Sequence, residues 1–179
     1  MSEPNAKMKR LTPWDVAYAT DMTIACWLSY TAAAWVLASF VNRSDDLLGG
    51  MWAVVATIFV FRETRVGSLS AGLNRLVATV VSFALCLTYL LFLPSTPLAI
   101  GMLIGVGTVI MMLLDRRGDI ALTGITTTVV LVVAAISPEN AWQQPLLRLV
   151  DTVVGVAVGI SCKWVGSYVF YRAIGEPVR

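Results

Sequence analysis

The sequence has no histidine and little charge. Histidine is absent and 13% of the 179 residues are charged, whereas a typical soluble domain has about 25%. Without histidine, a histidine-ligated metal site is excluded. A net charge of +2 is too small to indicate a nucleic-acid partner. Because no nucleophile–base pair, metal cluster or phosphate loop is evident, we expect neither an enzyme nor a cofactor.

Cysteine is also scarce. The three cysteines, Cys26, Cys86 and Cys162, lie in apolar runs and have no CxxC spacing. This pattern favours buried thiols over a disulfide or a metal site.

Long apolar segments make up most of the chain. The sequence is 58% hydrophobic, with a mean hydropathy of +0.78, and a membrane-spanning helix needs about 20 apolar residues. Six segments are candidates: residues 15–41, 47–61, 69–93, 97–114, 120–136 and 145–171. We therefore predict an all-α integral membrane protein with six transmembrane helices in the lipid bilayer.

The distribution of lysine and arginine predicts the orientation, since cytoplasmic segments carry an excess of both. With the N-terminus inside, the outer loops contain Arg43 alone, and the inner segments contain Lys7, Lys9, Arg10, Arg62, Arg65, Arg116, Arg117, Arg172 and Arg179. Both termini are then cytoplasmic. We predict a tail at residues 1–13, a membrane domain at 14–171 and a tail at 172–179.

A repeat becomes visible when the chain is shifted by 73 residues. LNRLVATVV at 73–81 then aligns with LLRLVDTVV at 146–154. The matched polar positions are Arg43 with Arg116, Asp46 with Asp119, Arg75 with Arg148, and Thr79 with Thr152. We interpret this as an ancestral duplication; the alternative is coincidence among apolar residues.

Each repeat unit contains three predicted helices, at about residues 20–93 and 94–171. Because three is odd, the second unit enters the membrane upside down relative to the first, which predicts a 3+3 inverted repeat. Transporters often have inverted repeats, with the substrate site at the interface between the units. Helices two and five, the shortest predicted helices, occupy matching positions.

Arg75 and Arg148 are predicted to lie inside the bilayer, Arg75 about two turns into helix three and Arg148 in the first turn of helix six. An arginine there costs at least about 2.5–3.5 kcal/mol, so it usually faces a cavity or a partner. One interpretation is an anion-binding pair, with one arginine near each membrane face. The alternatives are structural: pairing of Arg148 with Asp151 and of Arg75 with Asp21, or snorkelling to the headgroups.

Asp21 and Asp151 are candidates for proton coupling, because burial favours a neutral carboxylic acid; the alternative is a counter-ion role. Trp52 is a candidate for stacking on an aromatic substrate, with lipid or core contact as the alternative. Lys163 is expected to snorkel. Two glycine pairs, Gly101-xxx-Gly105 and Gly155-xxx-Gly159, predict close helix packing within the bundle or between subunits.

The segment GGMWAVVATIFVFRETRVGSLSAGLNRLVATVVS resembles the FUSC family of fusaric acid resistance and aromatic acid exporter proteins. The family pattern is a Trp-Ala-Val helix, a short basic loop, and a G/S-L-x-x-G-x-x-R-x-x-G-T segment; the corresponding residues are Trp52–Val54, Arg62–Arg65, and Ser68 through Gly72 and Arg75 to Thr79. The later RLVDTVVGVAVG is similar to the family's R-x-x-D-T-x-x-G segment, here Arg148, Asp151, Thr152 and Gly155. The resemblance covers roughly Asp15 to Val169.

The resemblance implies a six-helix bundle in a bacterial inner membrane that exports aromatic carboxylates, usually at the expense of the proton gradient. We expect an exporter of organic, aromatic anions that works as a homodimer. Two alternatives stay open. One is a passive anion channel, since the plant aluminium-activated malate channels look like distant relatives. The other is a non-transporting structural or regulatory membrane subunit.

Overall fold

The computed structural model describes residues 12–37, 43–62, 64–136, 138 and 141–174. Within these ranges the chain is helical, without a β-strand. The helices are α1 (Pro13–Leu37), α2 (Arg43–Val60), α3 (Arg65–Leu90), α4 (Pro97–Leu113), α5 (Ile120–Ile136) and α6 (Gln143–Ile174), and a 3-10 turn at Arg117–Asp119 precedes α5. The predicted terminal basic residues Lys7, Lys9, Arg10 and Arg179 lie outside the described residues.

The predicted all-α fold is confirmed, and several helix boundaries move. α3 begins at Arg65 rather than at residue 69, because the Thr64 hydroxyl caps it by accepting a 3.0 Å hydrogen bond from the Gly67 N–H. α4 begins at Pro97 as predicted, behind an equivalent cap from Thr96.

Three helical segments in the described ranges are long and apolar enough to cross a membrane: Arg65–Leu90, Arg117–Ile136 and Gln143–Val169. Leu48–Val60 and Pro97–Leu113 are apolar but shorter. α1 has 25 residues but is not apolar enough to belong with the three. A membrane crossing by all six helices therefore stays a prediction.

The contacts of α2 with α1 and with α6 give the directions of these helices. Tyr30 packs on Gly50, and the Tyr18 hydroxyl donates a 3.2 Å hydrogen bond to the Phe61 carbonyl, so α1 and α2 are antiparallel. Thr57 donates a 2.9 Å hydrogen bond to the Gly155 carbonyl and also packs on Gly159. Trp52 contacts Arg148 further towards the start of both helices, so α2 and α6 are parallel.

α3 crosses α6 in the opposite direction. Gly72 packs on Val156 and Ile160, whereas Thr79, further along α3, reaches back to Thr152 with 3.5 Å between the two hydroxyls. Thr79 and Thr152 are the threonines that the repeat matches. The two units thus contact each other through equivalent residues.

The contacts of α4 and α5 give the directions of these two helices. α5 is parallel to α3, because Ser82 donates a 3.0 Å hydrogen bond to the Thr123 carbonyl and the Cys86 thiol lies 4.0 Å from the Thr127 carbonyl oxygen. α4 and α5 are antiparallel, since Gly107 faces Thr123 and Ile104 faces Gly124. The helix pairs that the predicted repeat matches, α2 with α6 and α5 with α3, are thus both parallel, and the inverted repeat itself stays a prediction.

The two units differ in the register of one contact. The Cβ position of Gly155 on α6 faces the Ala53 carbonyl of α2. The residue matched to Gly155 is Ser82, and its hydroxyl bonds to the Thr123 carbonyl rather than to that of Thr126, the match of Ala53. α5 is therefore offset along α3 by three residues, about 4.5 Å.

The glycine pairs have different surroundings. A Cβ on Gly155 would clash with the Ala53 carbonyl and with Ala56, so this pair packs α6 against α2 within the bundle. Gly101 and Gly105 have no atom within 4 Å of the corresponding position. All three cysteines are free; Cys86 is buried, but Cys26 and Cys162 are only half-buried, so the prediction of buried thiols is wrong for those two.

Candidate anion site

Arg148 lies on the buried face of α6. Because α6 begins at Gln143 rather than at Pro145, Arg148 is in the second turn, not in the first turn as predicted. The residue is 7% exposed. Its guanidinium carbon lies 3.8 Å from the centre of the Trp52 ring. This distance is short for a cation–π contact, which extends to about 6 Å.

Asp151 is the counter-ion of Arg148, as predicted by the interpretation in which Arg148 has a structural role. One of its oxygens, Oδ2, lies 3.6 Å from Nη1 of Arg148, which is longer than the roughly 2.7–2.9 Å of a charge-assisted hydrogen bond. The other oxygen, Oδ1, is buried and has no hydrogen-bond partner among the described residues. The ion pair is therefore loose, and half of the carboxylate is unsatisfied.

A small cavity adjoins this pair. Its volume is about 20 Å³, and it lies between α2, α5 and α6, where Trp52, Gln144, Arg148 and Asp151 face Val130 and other apolar residues. A volume of about 10–15 Å³ is needed to hold one water molecule. The cavity therefore admits a water molecule but no aromatic carboxylate, and the site is closed in this conformation.

Arg75 lies ten residues into α3, almost three turns rather than the predicted two. It is 2% exposed, and its guanidinium carbon lies 5.0 Å from the centre of the Phe59 ring. Nε and Nη1 are buried and have no hydrogen-bond partner in the part of the chain that the structure describes. Buried cationic N–H groups of this kind are costly unless a partner is supplied.

Asp21 does not pair with Arg75, so this predicted ion pair is wrong. The carboxylate of Asp21 lies against Gly166 of α6, where a glycine leaves room for it. There it interacts electrostatically with Lys163. A partner for Arg75 in another helix could not be inferred from sequence spacing, since only partners on the same helix have a defined separation.

Lys163 does not snorkel, contrary to the prediction. It is 8% exposed, and its ammonium lies 5.1 Å from the Tyr18 ring centre and 5.2 Å from that of Phe61. The sequence contained a signal for this burial. Lys163 follows Gly159 by four residues and Gly155 by eight, so it belongs to the face of α6 that packs on α2.

The structure thus brings together three of the five predicted site residues, Trp52, Arg148 and Asp151. Arg75 and Asp21 lie elsewhere in the bundle. Sequence reasoning did not find Phe59, which covers Arg75, because phenylalanine in an apolar helix carries no distinguishing signal.

The charges of the site itself balance, because Arg148 faces Asp151. Arg75, elsewhere in the bundle, is buried and has no hydrogen-bond partner on Nε and Nη1 among the described residues. The positive charge that an organic or inorganic anion can neutralise is therefore that of Arg75.

Comparisons with known proteins give one match. A family model described as fusaric acid resistance protein-like matches residues 31–162. This range includes Trp52, Arg75, Arg148 and Asp151 but not Asp21. Neither curated proteins nor solved structures give a match. The family and the apolar helices indicate a multi-pass membrane protein of a transport and resistance type. Since the match covers well over half of the chain, this protein belongs to the fusaric acid resistance protein-like (FUSC) family.

Proposed function

We propose that the protein exports organic, aromatic carboxylate anions across the bacterial inner membrane. The observation that carries this proposal is the matched pair of arginines. Arg75 and Arg148 are 73 residues apart, both are buried, and they lie on antiparallel helices on either side of the contact between Thr79 and Thr152. Such a pair offers a carboxylate one guanidinium towards each membrane face.

The proposed architecture is six membrane-spanning helices in a 3+3 inverted repeat, with both termini in the cytoplasm. Two contact patterns support it. Equivalent threonines of the two units meet at 3.5 Å, as residues beside a pseudo-twofold axis do. The units also run in opposite directions, and substrate sites of inverted-repeat transporters lie at such an interface.

A substrate carboxylate at Arg148 would compete with Asp151. Because the ion pair is loose at 3.6 Å, a well-placed carboxylate can form shorter hydrogen bonds to the same guanidinium. Asp151 would then remain in apolar surroundings without its counter-ion, where the neutral acid is favoured. Anion binding and proton binding are thereby linked at Asp151, and Asp21 beside Lys163 is the second candidate for proton coupling.

The offset of α5 by three residues supports a carrier with two conformations. In an inverted repeat, the outward-closed and inward-closed states exchange the conformations of the two units. The static difference of about 4.5 Å between matched contacts has the size that such an exchange would require. The small cavity beside Arg148 then belongs to the state in which that end of the bundle is closed.

A homodimer is part of the proposal. The face of α4 that bears Gly101 and Gly105 has no atom within 4 Å of either position, so another helix can approach it closely. Disulfide formation between two copies of a Gly101→Cys variant in membranes would support this interface. A monomer in nanodiscs with full transport activity would contradict the dimer.

One observation favours a non-transporting subunit as a second candidate. Arg148 is already paired and its cavity holds only about 20 Å³, as expected for a purely structural arginine. Arg75 is evidence against a purely structural role, since two of its buried nitrogens have no hydrogen-bond partner among the described residues. A structural arginine is normally fully hydrogen-bonded, so the transporter explains both arginines and the structural role explains one.

Flux measurements in proteoliposomes test the proposal. We expect protein-dependent efflux of benzoate that falls at least about tenfold, equivalent to 1.4 kcal/mol, in Arg75→Ala and in Arg148→Ala. Arg117→Ala is the matched control, because Arg117 is exposed in the turn before α5. Unchanged flux in both well-folded arginine variants would refute the site. A benzoate current that reverses at its equilibrium potential, without proton dependence, would identify a passive channel instead.

A further inference from the structure

The buried cations of the described bundle form a series along α6. Arg148 and Lys163 belong to α6 itself and are 15 residues apart, which corresponds to about 22 Å along the helix. This distance is most of the roughly 30 Å thickness of a bilayer's hydrocarbon core.

Arg75 lies between them. Gly72 packs on Val156 and Ile160, and Thr79 contacts Thr152, so the backbone of Arg75 is level with about residue 156. This level is eight residues from Arg148 and seven from Lys163. The three cations are therefore spaced at intervals of about 10–12 Å.

α2 and the residue that follows it supply an aromatic ring to each of the three cations. Trp52 lies 3.8 Å from the Arg148 guanidinium, Phe59 lies 5.0 Å from that of Arg75, and Phe61 lies 5.2 Å from the Lys163 ammonium. In the second unit, the repeat matches these aromatic residues with Ile125, Val132 and Ala134. The rings are thus a property of one side of the bundle.

This arrangement suits an anion that moves. A guanidinium stacked on a ring is partly stabilised by the ring and still has N–H donors at its edge for a carboxylate. An aromatic substrate bound at that edge can pack its own ring against the side chain from α2. Asp151 lies beside Arg148 and Asp21 interacts with Lys163, so a moving carboxylate must compete with these two side chains. Arg75 has no hydrogen-bond partner on Nε and Nη1 among the described residues.

We propose that one anion path has three successive binding positions, at Lys163, Arg75 and Arg148. The preference of this path for ring-bearing carboxylates comes from Phe61, Phe59 and Trp52. The inference rests on the proposed transport function and adds two elements to it. Lys163 is a substrate contact near the end of the path opposite Arg148, and Phe59 is a specificity residue.

Efflux of two similar anions from proteoliposomes tests the inference. Benzoate and cyclohexanecarboxylate have the same charge and nearly the same size, but only benzoate is aromatic. We expect Phe59→Leu to lower the benzoate to cyclohexanecarboxylate rate ratio by about threefold to tenfold, within the range measured for aromatic pairs, and Phe59→Tyr to retain the ratio. Phe92→Leu is the control, because Phe92 is 81% exposed after α3 and faces none of the three cations.

The binding position at Lys163 is tested with the same two anions. Lys163→Gln should lower efflux of both at least about tenfold, and Lys163→Arg should restore a substantial part, because a cation returns to the same place. Both variants are first checked for a monodisperse folded peak in size-exclusion chromatography. If Lys163→Gln does not fold, the Phe59 ratio alone decides the inference.

The outcomes separate this inference from the proposed function. If the wild-type protein moves neither anion, both fail. If it moves both and depends on Arg75 and Arg148, but Phe59→Leu leaves the ratio unchanged, the proposed function stands and the aromatic path is refuted. Wild-type efflux in a folded Lys163→Gln variant would likewise remove Lys163 from the path.

Discussion

Substitution of Gly155 by alanine should force α2 and α6 apart, whereas the same change at Gly124 should not disturb the bundle. The added methyl carbon of Gly155→Ala would lie 2.8 Å from the Cβ of Ala56 and closer still to the Ala53 carbonyl oxygen. Carbon atoms pack at about 3.5–4.0 Å. The two helices must therefore move apart by about 0.7–1.2 Å, because a backbone carbonyl on a helix cannot rotate away.

The expected cost follows from three contributions. Overpacking of this kind costs about 1–3 kcal/mol. Stretching the 2.9 Å hydrogen bond from Thr57 to the Gly155 carbonyl adds roughly 0.6–1.7 kcal/mol, the range for interhelical hydrogen bonds in membranes. Alanine has a higher helix propensity than glycine, which offsets up to about 1 kcal/mol of this loss. These contributions sum to a net loss of about 0.6–4.7 kcal/mol for Gly155→Ala. In Gly124→Ala the methyl carbon would lie 3.8 Å from Ile104, an ordinary contact, so this change is neutral or slightly stabilising.

The assay is equilibrium unfolding in mixed micelles, followed by tryptophan fluorescence, for the wild-type protein and both variants. Gly118→Ala gives a second control, since no atom lies within 4 Å of its Cβ position. If Gly155→Ala and Gly124→Ala differ by less than about 0.5 kcal/mol, the tight contact between α2 and α6 does not exist in the folded protein. The assignment of Trp52 to the Arg148 site would be lost with it.

Two further predictions concern the ion pair and the register of α5. Asp151→Asn should destabilise the protein by about 3 kcal/mol, because it leaves Arg148 buried without its counter-ion. In a double-mutant cycle, the variant that also carries Arg148→Gln should recover part of this loss. Additive losses of the two single variants would contradict the pairing. After the native cysteines are replaced, Ser82→Cys with Thr127→Cys should form a disulfide readily, because the two hydroxyls are 3.2 Å apart. Ser82→Cys with Val130→Cys should form one only when α5 moves along α3, so equally fast oxidation of both pairs without substrate would contradict the offset.

Much of the helical layout could be predicted from local sequence signals. α5 was predicted at its observed limits, Ile120–Ile136, since charged residues precede the apolar run and Pro138 follows it. The contact between Arg148 and Asp151 was also expected, because residues at i and i+3 share a helix face. In each case the information lies within a few residues along the chain.

The misplaced features depend on how helices pack against one another. Asp21 was assigned to Arg75 because both were expected near the cytoplasmic side, but Gly166 creates the space in which Asp21 lies. The α2 ring that covers Arg75 comes from Phe59, whose position relative to α3 depends on helix rotation. Nothing in a single sequence specifies this rotation when most positions are apolar.

The close packing of α2 on α6 and the geometry of the proposed anion site have the same physical origin. Arg148, Gly155, Gly159 and Lys163 belong to one buried face of α6, and the glycines let α2 approach closely enough for its rings to reach the cations. A substrate of aromatic size cannot enter a cavity of about 20 Å³ unless α2 or α5, which both line it, moves relative to α6. Movement of α2 must stretch or break the hydrogen bond from Thr57 to Gly155, whereas movement of α5 alone leaves this bond intact. Under the proposed function, a variant that weakens the contact between α2 and α6 should therefore lose stability in either case, but should gain access to Arg148 only where α2 is the moving helix.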